Sequence, residues 1–541
     1  MPAIPTPPFA SRVFQGSFTI MHSEPHARTS NTATSRGAAA TSPTGADSQH
    51  SGEGKSKHTV TMWSLVALII GSCVGAGIFS LPQNIASVAA PGAMLIGWAI
   101  AGVGMLSVAF VFQILAHRKP HLDSGVYSYV RAGLGDFIGF ASGWGYWLGS
   151  VIAQVGYATL FFNTIGHYIP LFHESNRWAS FLSVSVMTWV IFALLSRGVK
   201  QAAIMNTVVT VAKLVPILAF IVLLLFFGFS WDTFTLDFWG HDSSEGSVFE
   251  QVQGIMLFTV WVFIGVEGAS VYSKQARQRT DVGRATVLGF VSVLVLLVSV
   301  ATLSFGVLSQ EELAALPDNS MAAVLEAAIG PVGGLLISIG LCISVLGAYV
   351  SWQMLCAEPL TMMAIDGLLP KRTGSINAAG APWMAQLIST SVIQFAVIVF
   401  FLNETAYISM VQLATVMYLL PYIFSSLYLL LLALRGKGIT HPHAGTRFDL
   451  SGPEISRREN RKHLFIGAVA FIYSMWLIYA ADPVYILFGA LAVVPGIVPY
   501  VLTRISRREK LFNGFEWSIV VLVFVAAIIA AVGLANGSLQ L

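Results

Sequence analysis

The apolar run from about Met62 to Ala89 is long enough to cross a bilayer as a helix, yet its centre reads Gly71-Ser-Cys-Val-Gly-Ala-Gly77, three glycines in seven residues. Inside a membrane, backbone leaves the helix only where protein buries it or where it lines a wet cavity. The run is therefore expected as two half-helices, one ending near Ile70 and the next beginning near Ile78. Freed N–H groups opening the second half favour an anion such as a carboxylate, and carbonyls closing the first favour a cation such as an ammonium. One break thus offers something to each end of a free α-amino acid. A second apolar segment carries a matching interruption, Phe263-Ile-Gly-Val-Glu-Gly268. Paired broken helices point to the binding site of a secondary transporter.

The rest of the chain agrees with a membrane setting. Of its 541 residues 55% are hydrophobic and only 10% charged, and the mean hydropathy is +0.73. A net charge of +3 implies no nucleic-acid partner. Cys73, Cys342 and Cys356 all lie in apolar segments, without the spacing of a disulfide framework or a metal site. No histidine pair has metal-ligand spacing near other ligands, and no phosphate loop, nucleophile elbow or dinucleotide fingerprint is present, so neither an enzyme nor a metal or other cofactor is expected.

Thirteen apolar segments follow one another: roughly 62–89, 92–116, 136–162, 178–195, 203–229, 249–272, 285–308, 333–364, 384–402, 406–433, 464–480, 484–502 and 515–535. Loops after the even-numbered segments hold the basic residues, among them Arg118, Lys119, Arg197, Arg372, Arg458 and Arg504. The opposite loops hold one, Arg177, and carry acids such as Asp232, Glu311, Asp318 and Asp482. Positive residues are retained inside, which predicts a cytoplasmic amino terminus. Residues 1–57 read as a disordered cytoplasmic tail, 58–433 as a ten-helix core, 434–463 as a basic cytoplasmic loop, and 464–541 as peripheral helices. The broken helices open segments 1–5 and 6–10, and an odd number of spans per unit inverts the second copy relative to the first.

Three stretches carry a resemblance. Gly75-Ala-Gly-Ile-Phe-Ser-Leu-Pro-Gln-Asn84, Arg118-Lys-Pro-His-Leu-Asp-Ser-Gly-Val-Tyr-Ser-Tyr129 and Trp261-Val-Phe-Ile-Gly-Val-Glu-Gly-Ala-Ser270 resemble the amino acid–polyamine–organocation transporters. Over roughly residues 60–510 the chain is similar to the basic amino acid/polyamine antiporters that exchange arginine for ornithine or agmatine. The resemblance implies an all-α polytopic membrane protein with a leucine-transporter-type 5+5 inverted-repeat core and two or three extra C-terminal transmembrane helices, 12 or 13 spans in all.

Glu267 is the sharpest single residue. A carboxyl in an apolar span is costly, faces the bundle interior and marks a substrate or proton path. The resemblance makes Glu267 the glutamate that couples protonation to the inner gate, with Tyr146 and Tyr422 beside it. It makes Trp261 the lid over bound substrate, and Trp352 the face that stacks on the substrate's cationic side chain, for which indole is the best aromatic partner. It assigns the substrate ammonium to the carbonyls of Cys73, Trp261 and Ile264, and the carboxylate to backbone donors around Gly75 and Gly77. Gln154 stands where arginine–agmatine exchangers have asparagine, and Ala76 where they have serine. Glu358, followed by Pro359, reads as structural or as lining the inner vestibule.

Lys213, in Val211-Ala-Lys-Leu-Val-Pro216, is the one basic residue well inside a span. Such a lysine must pair, snorkel or lose its proton, and it lies ten residues from the inner end of its segment, about 15 Å at helical rise. In proton-coupled members of the superfamily a lysine here looks like a substitute for the sodium of related carriers. Two functions stay open: an antiporter exchanging a cationic amino acid for ornithine or a related amine across the cytoplasmic membrane, or a proton-coupled amino acid symporter. The expected partners are small amino acids and the lipid bilayer; a homodimer is left open.

Overall fold

The computed structural model describes residues 62–119, 122, 125–173, 176–198, 202–241, 246–267, 279–402, 407–435 and 455–539. The tail, most of the basic loop 434–463 and the continuation of the second break from Gly268 lie outside the described residues. Within them the chain is all helix. The first segment is two pieces, α1 (Met62–Cys73) and α2 (Leu81–Ala86), followed by α3 (Pro91–Arg118), α4 (Gly125–Leu134), α5 (Asp136–Tyr168), α6 (Arg177–Ser196) and α7 (Ala202–Phe227). The second half begins after the short α8 (Trp231–Thr235) with α9 (Val248–Phe263). It continues through α10 (Arg279–Phe305), α11 (Gln310–Ala314), α12 (Ser320–Ile329), α13 (Pro331–Ile365), α14 (Trp383–Leu402) and α15 (Tyr407–Arg435). Three more close the chain: α16 (Arg457–Ala480), α17 (Pro483–Ser506) and α18 (Gly514–Ala535).

Ten of these helices are, among the described residues, long and apolar enough to cross a membrane. The other three apolar segments are α1–α2, α7 and α9. This is a polytopic membrane protein. Among the described residues the first segment is interrupted and the sixth leaves the helix after Phe263, five spans further on, as a five-plus-five core requires.

Local sequence sets the ends. Pro91 and Pro331 open α3 and α13, where a missing N–H costs no helical bond. Ser247 with Glu250, Ser309 with Glu312 and Asn513 with Glu516 form reciprocal caps at α9, α11 and α18. In the loop helix α11 the Ser309 backbone N–H, and then its hydroxyl, hold the Glu312 carboxyl below the usual glutamate range.

The core is built around α5. In its most apolar stretch 83% of residues are buried, against 22% for α6 and for α18, which face outward. α5 packs against α13 and α15, and small residues allow the approach. A Cβ at Gly145 would stand 2.6 Å from Leu420, and one at Gly149 2.9 Å from the Tyr418 ring. α10 lies along α1, α9 along α3, and α16 along α3 and α15. Both interrupted segments are thus held inside the bundle.

Candidate functional site

The first break falls three residues later than the glycine pattern predicts. Helix α1 runs on through Gly71 to Cys73, and Val74 still donates to the Ile70 carbonyl at 2.9 Å. Irregular backbone occupies 74–80, closed by turns from Phe79 N–H to the Ala76 carbonyl (3.1 Å) and Leu81 N–H to the Ile78 carbonyl (3.4 Å). A lone Gly71 costs a helix only about 1 kcal/mol, whereas Gly75 and Gly77 together leave the turn cheap and Pro82 starts α2. Space decides the second glycine: a Cβ at Gly77 would sit 2.6 Å from the Trp261 indole.

The second break begins where α9 ends at Phe263. Ile264 N–H reaches the Trp261 carbonyl at 3.3 Å and Val266 N–H the Phe263 carbonyl at 3.1 Å. Gly265 has φ +108°, and a Cβ there would stand 2.6 Å from the Ser72 carbonyl oxygen, so only glycine fits. The two breaks touch. Ser72 Oγ donates to the Gly265 carbonyl at 3.1 Å, and Cys73 Sγ lies 4.0 Å from the Phe263 carbonyl.

Glu267 sits in the turn just past α9, buried. Its Oε1 accepts the Tyr146 hydroxyl at 3.1 Å, and its Oε2 accepts the Tyr422 hydroxyl at 3.0 Å and the Gly265 N–H at 3.1 Å. The carboxyl therefore joins the second break to α5 and α15. Tyr146 also meets Trp352 at 6.4 Å between ring centroids. Trp352, buried on α13, faces Tyr418 edge-on at 6.1 Å, and Tyr418 meets Tyr146 at 5.0 Å and 89°. An aromatic box thus stands beside the carboxyl.

Trp261 is buried under Tyr157, 5.9 Å away. Gln154, fully buried one turn before Tyr157, donates its Nε2 to the Tyr349 carbonyl at 3.0 Å, and its Oε1 has no hydrogen-bond partner among the described residues. Ala76 is buried between Gly75 and Gly77 at the first break. Lys213 Nζ, from α7, donates to the Gly71 carbonyl in the last turn of α1. Glu358 lies half-buried on α13, six residues beyond Trp352. The structure thus brings Cys73, Gly77, Trp261, Ile264, Glu267, Tyr146 and Tyr422 to the junction of the two breaks, with Trp352 and Gln154 on the flanking helices. Lys213 reaches the last turn of α1 from α7.

Sequence reasoning missed several residues. Ser150 donates to the Tyr146 carbonyl at 2.8 Å and pairs with the Tyr418 hydroxyl at 2.9 Å. Both carried a signal: Ser150 is four residues after Tyr146, and Tyr418 four before Tyr422, the spacing of one helix face. Tyr407, which accepts the Ser80 hydroxyl at 3.3 Å, carried none.

A discontinuous first helix whose break meets the end of α9 at a buried, polar, aromatic-lined junction inside a helical bundle is the arrangement of a secondary transporter. The chain is a multi-pass membrane carrier and not an enzyme. It belongs to the amino acid permease family, whose model matches residues 60–498. It is 67% identical over 512 residues to an L-lysine transport protein of Corynebacterium glutamicum, covering 95% of this chain and 99% of the relative. It is 45% identical to an arginine/ornithine antiporter of Pseudomonas aeruginosa (90% and 99% covered) and 36% identical to an arginine/agmatine antiporter of Chlamydia pneumoniae (84% and 92% covered).

Proposed function

We propose that the chain exchanges a cationic amino acid, arginine or lysine, for ornithine or a related amine across the cytoplasmic membrane by alternating access, with its amino terminus inside. The observation that carries this reading is the Glu267 carboxyl, held by Tyr146 and Tyr422 at the second break and coupled through Tyr146 to the Trp352 face. Substrate α-groups bind the backbone at the two breaks: the ammonium at the carbonyls of Cys73, Trp261 and Ile264, the carboxylate at the N–H groups around Gly75, Ala76 and Gly77. Trp352 and Gln154 receive the side chain. Trp261 closes the outer side, and Glu267 with the two tyrosines closes the inner side. The names of the relatives support a cationic substrate. The core is residues 58–433, with 434–463 a cytoplasmic loop and 464–541 peripheral.

A second reading, proton-coupled symport, is favoured by one observation. Lys213 places its ammonium on the Gly71 carbonyl, so gain or loss of its proton would act on the first broken helix directly. Labelled lysine and arginine uptake into proteoliposomes separates the two. The vesicles are preloaded with ornithine, agmatine, lysine, arginine or buffer, with and without a pH gradient. Uptake only against a loaded amine supports exchange. Equal uptake into empty vesicles under a pH gradient discards it for symport, and no uptake of either label means the substrate class is wrong.

A further inference from the structure

Trp352 can meet a cation only if α13 presents it at the right rotation about the helix axis. Hydrophobic attraction does little to fix that rotation in a bilayer, because lipid tails are as apolar as the surrounding helices. One face of α13 carries two polar residues a turn apart, Tyr349 and Gln353, both buried. They lie about 60° and 100° round the helix from Trp352. Gln353 Nε2 directs its two hydrogens to two other helices, one to the Thr188 carbonyl of α6 at 3.3 Å and one to Thr390 Oγ1 of α14 at 3.1 Å. Thr188 Oγ1 gives its single hydrogen to the Val184 carbonyl at 2.8 Å, so the Tyr349 hydroxyl, 2.7 Å away, donates to it. Thr188 is the polar one among the four buried residues of α6. From the other side, Gln154 of α5 donates to the Tyr349 carbonyl at 3.0 Å, and Trp147 of α5 ties α14 by donating to Ser389 Oγ at 2.9 Å. These contacts close a ring through α5, α6, α13 and α14.

We infer that Gln353, through Thr188 and Thr390, is a positioning residue that sets the rotation of α13 and with it the placing of the Trp352 face for the cationic end of the substrate. At a side-chain radius of roughly 5–6 Å, a turn of about 20° carries a ring about 2 Å sideways. That is a large part of the roughly 6 Å within which a cation is drawn to an aromatic face. The choice of an amide here is informative. Gln353 is 1% exposed, and its Oε1 has no hydrogen-bond partner among the described residues. A half-satisfied buried amide is less stable than an apolar side chain of similar length, so stability alone favours methionine at this position. What the amide supplies is a fixed rotation. The inference rests on the reading of Trp352 as the face for the substrate cation and adds the residue that places it.

The test combines Gln353→Met with Trp352→Ala. Calorimetry on the purified full chain gives Kd for lysine and arginine, proteoliposomes give the maximal exchange rate, and unfolding in detergent gives Tm. Expected for Gln353→Met is a rise in Kd of about five- to ten-fold. The maximal rate should stay within about two-fold of wild type, with Tm no lower. In the Trp352→Ala background the same change should add less than about two-fold, since the face it places is gone. Thr390→Val should weaken binding in the same direction, and Thr390→Ser, which keeps the acceptor, should restore it. An unchanged Kd in Gln353→Met, an equal rise with and without Trp352, or a maximal rate and Tm that fall along with affinity overturns the positioning role and leaves the Trp352 reading standing. If Gln353→Met does not fold, the same cycle is run with Thr390→Val, and an equal rise with and without Trp352 overturns the role. A wild type that binds neither amino acid, or a Trp352→Ala variant that binds them as the wild type does, overturns the underlying reading and the inference together.

Discussion

The ammonium of Lys213 donates to the carbonyl of Gly71, so a helix outside the two breaks holds the last turn of the first one. Gly71 stays helical instead of opening the break, and the irregular backbone is displaced to 74–80. That contact bears on how the carrier is energised.

Replacing Lys213 by Gln removes the cation from the Gly71 carbonyl. A hydrogen bond from a charged group contributes about 1.5–3 kcal/mol, so transport should fall by roughly ten- to a hundred-fold. Proteoliposome assays with and without a pH gradient read the consequence. Loss of both amine exchange and gradient-driven uptake marks the contact as structural, whereas loss of the gradient-driven component alone assigns Lys213 to proton coupling.

Tyr146 and Tyr422 approach Glu267 from different helices, α5 and α15, and end on different oxygens. Tyr146→Phe and Tyr422→Phe should each slow exchange about ten-fold, with a double mutant milder than the product because both act on one carboxyl. A coupling energy of roughly 0.5 kcal/mol or more in the cycle is the expected sign. Strict additivity would separate the two tyrosines.

Trp352→Ala removes the aromatic face beside Tyr146 and Tyr418. A desolvated cation–π contact is worth about 2 kcal/mol, so the affinity for arginine or lysine should weaken roughly thirty-fold. Trp352→Phe should recover part of it. Binding to purified protein by calorimetry distinguishes a lost contact from a lost fold, which thermal unfolding in detergent would reveal.

Gly265→Ala tests the backbone itself. At φ +108° with the Ser72 carbonyl in the way, a methyl group has no place, and the strain of such a residue is about 1–3 kcal/mol before the clash is counted. The variant should show a lower Tm in detergent and little transport. Gly380→Ala, also at positive φ but with nothing within 4 Å of the new Cβ, is the control and should lose less.

Much of this protein was legible in its residues because a bilayer leaves few options. Backbone polar groups have no water to bond to, so apolar runs of sufficient length become helices, and glycines inside them mark the places where the rule is broken for a purpose. Hence the thirteen apolar segments, both interruptions and Glu267 within the second were read from sequence, each from local composition alone. Three things needed the fold. Where the first break opens depends on Lys213 and on the Trp261 indole, which lie 142 and 184 residues away from Gly71 and Gly77. Which oxygens of Glu267 meet which tyrosine depends on how α5 and α15 pack, through Gly145 and Gly149, not on any property of the tyrosines. Tyr407 and Ser80 meet only because the first residue of α15 is brought to the residue that precedes α2. Periodicity reports which face of a helix is apolar, but hydrogen bonds between side chains far apart in the chain depend on helix position and register, and those are decided only by packing.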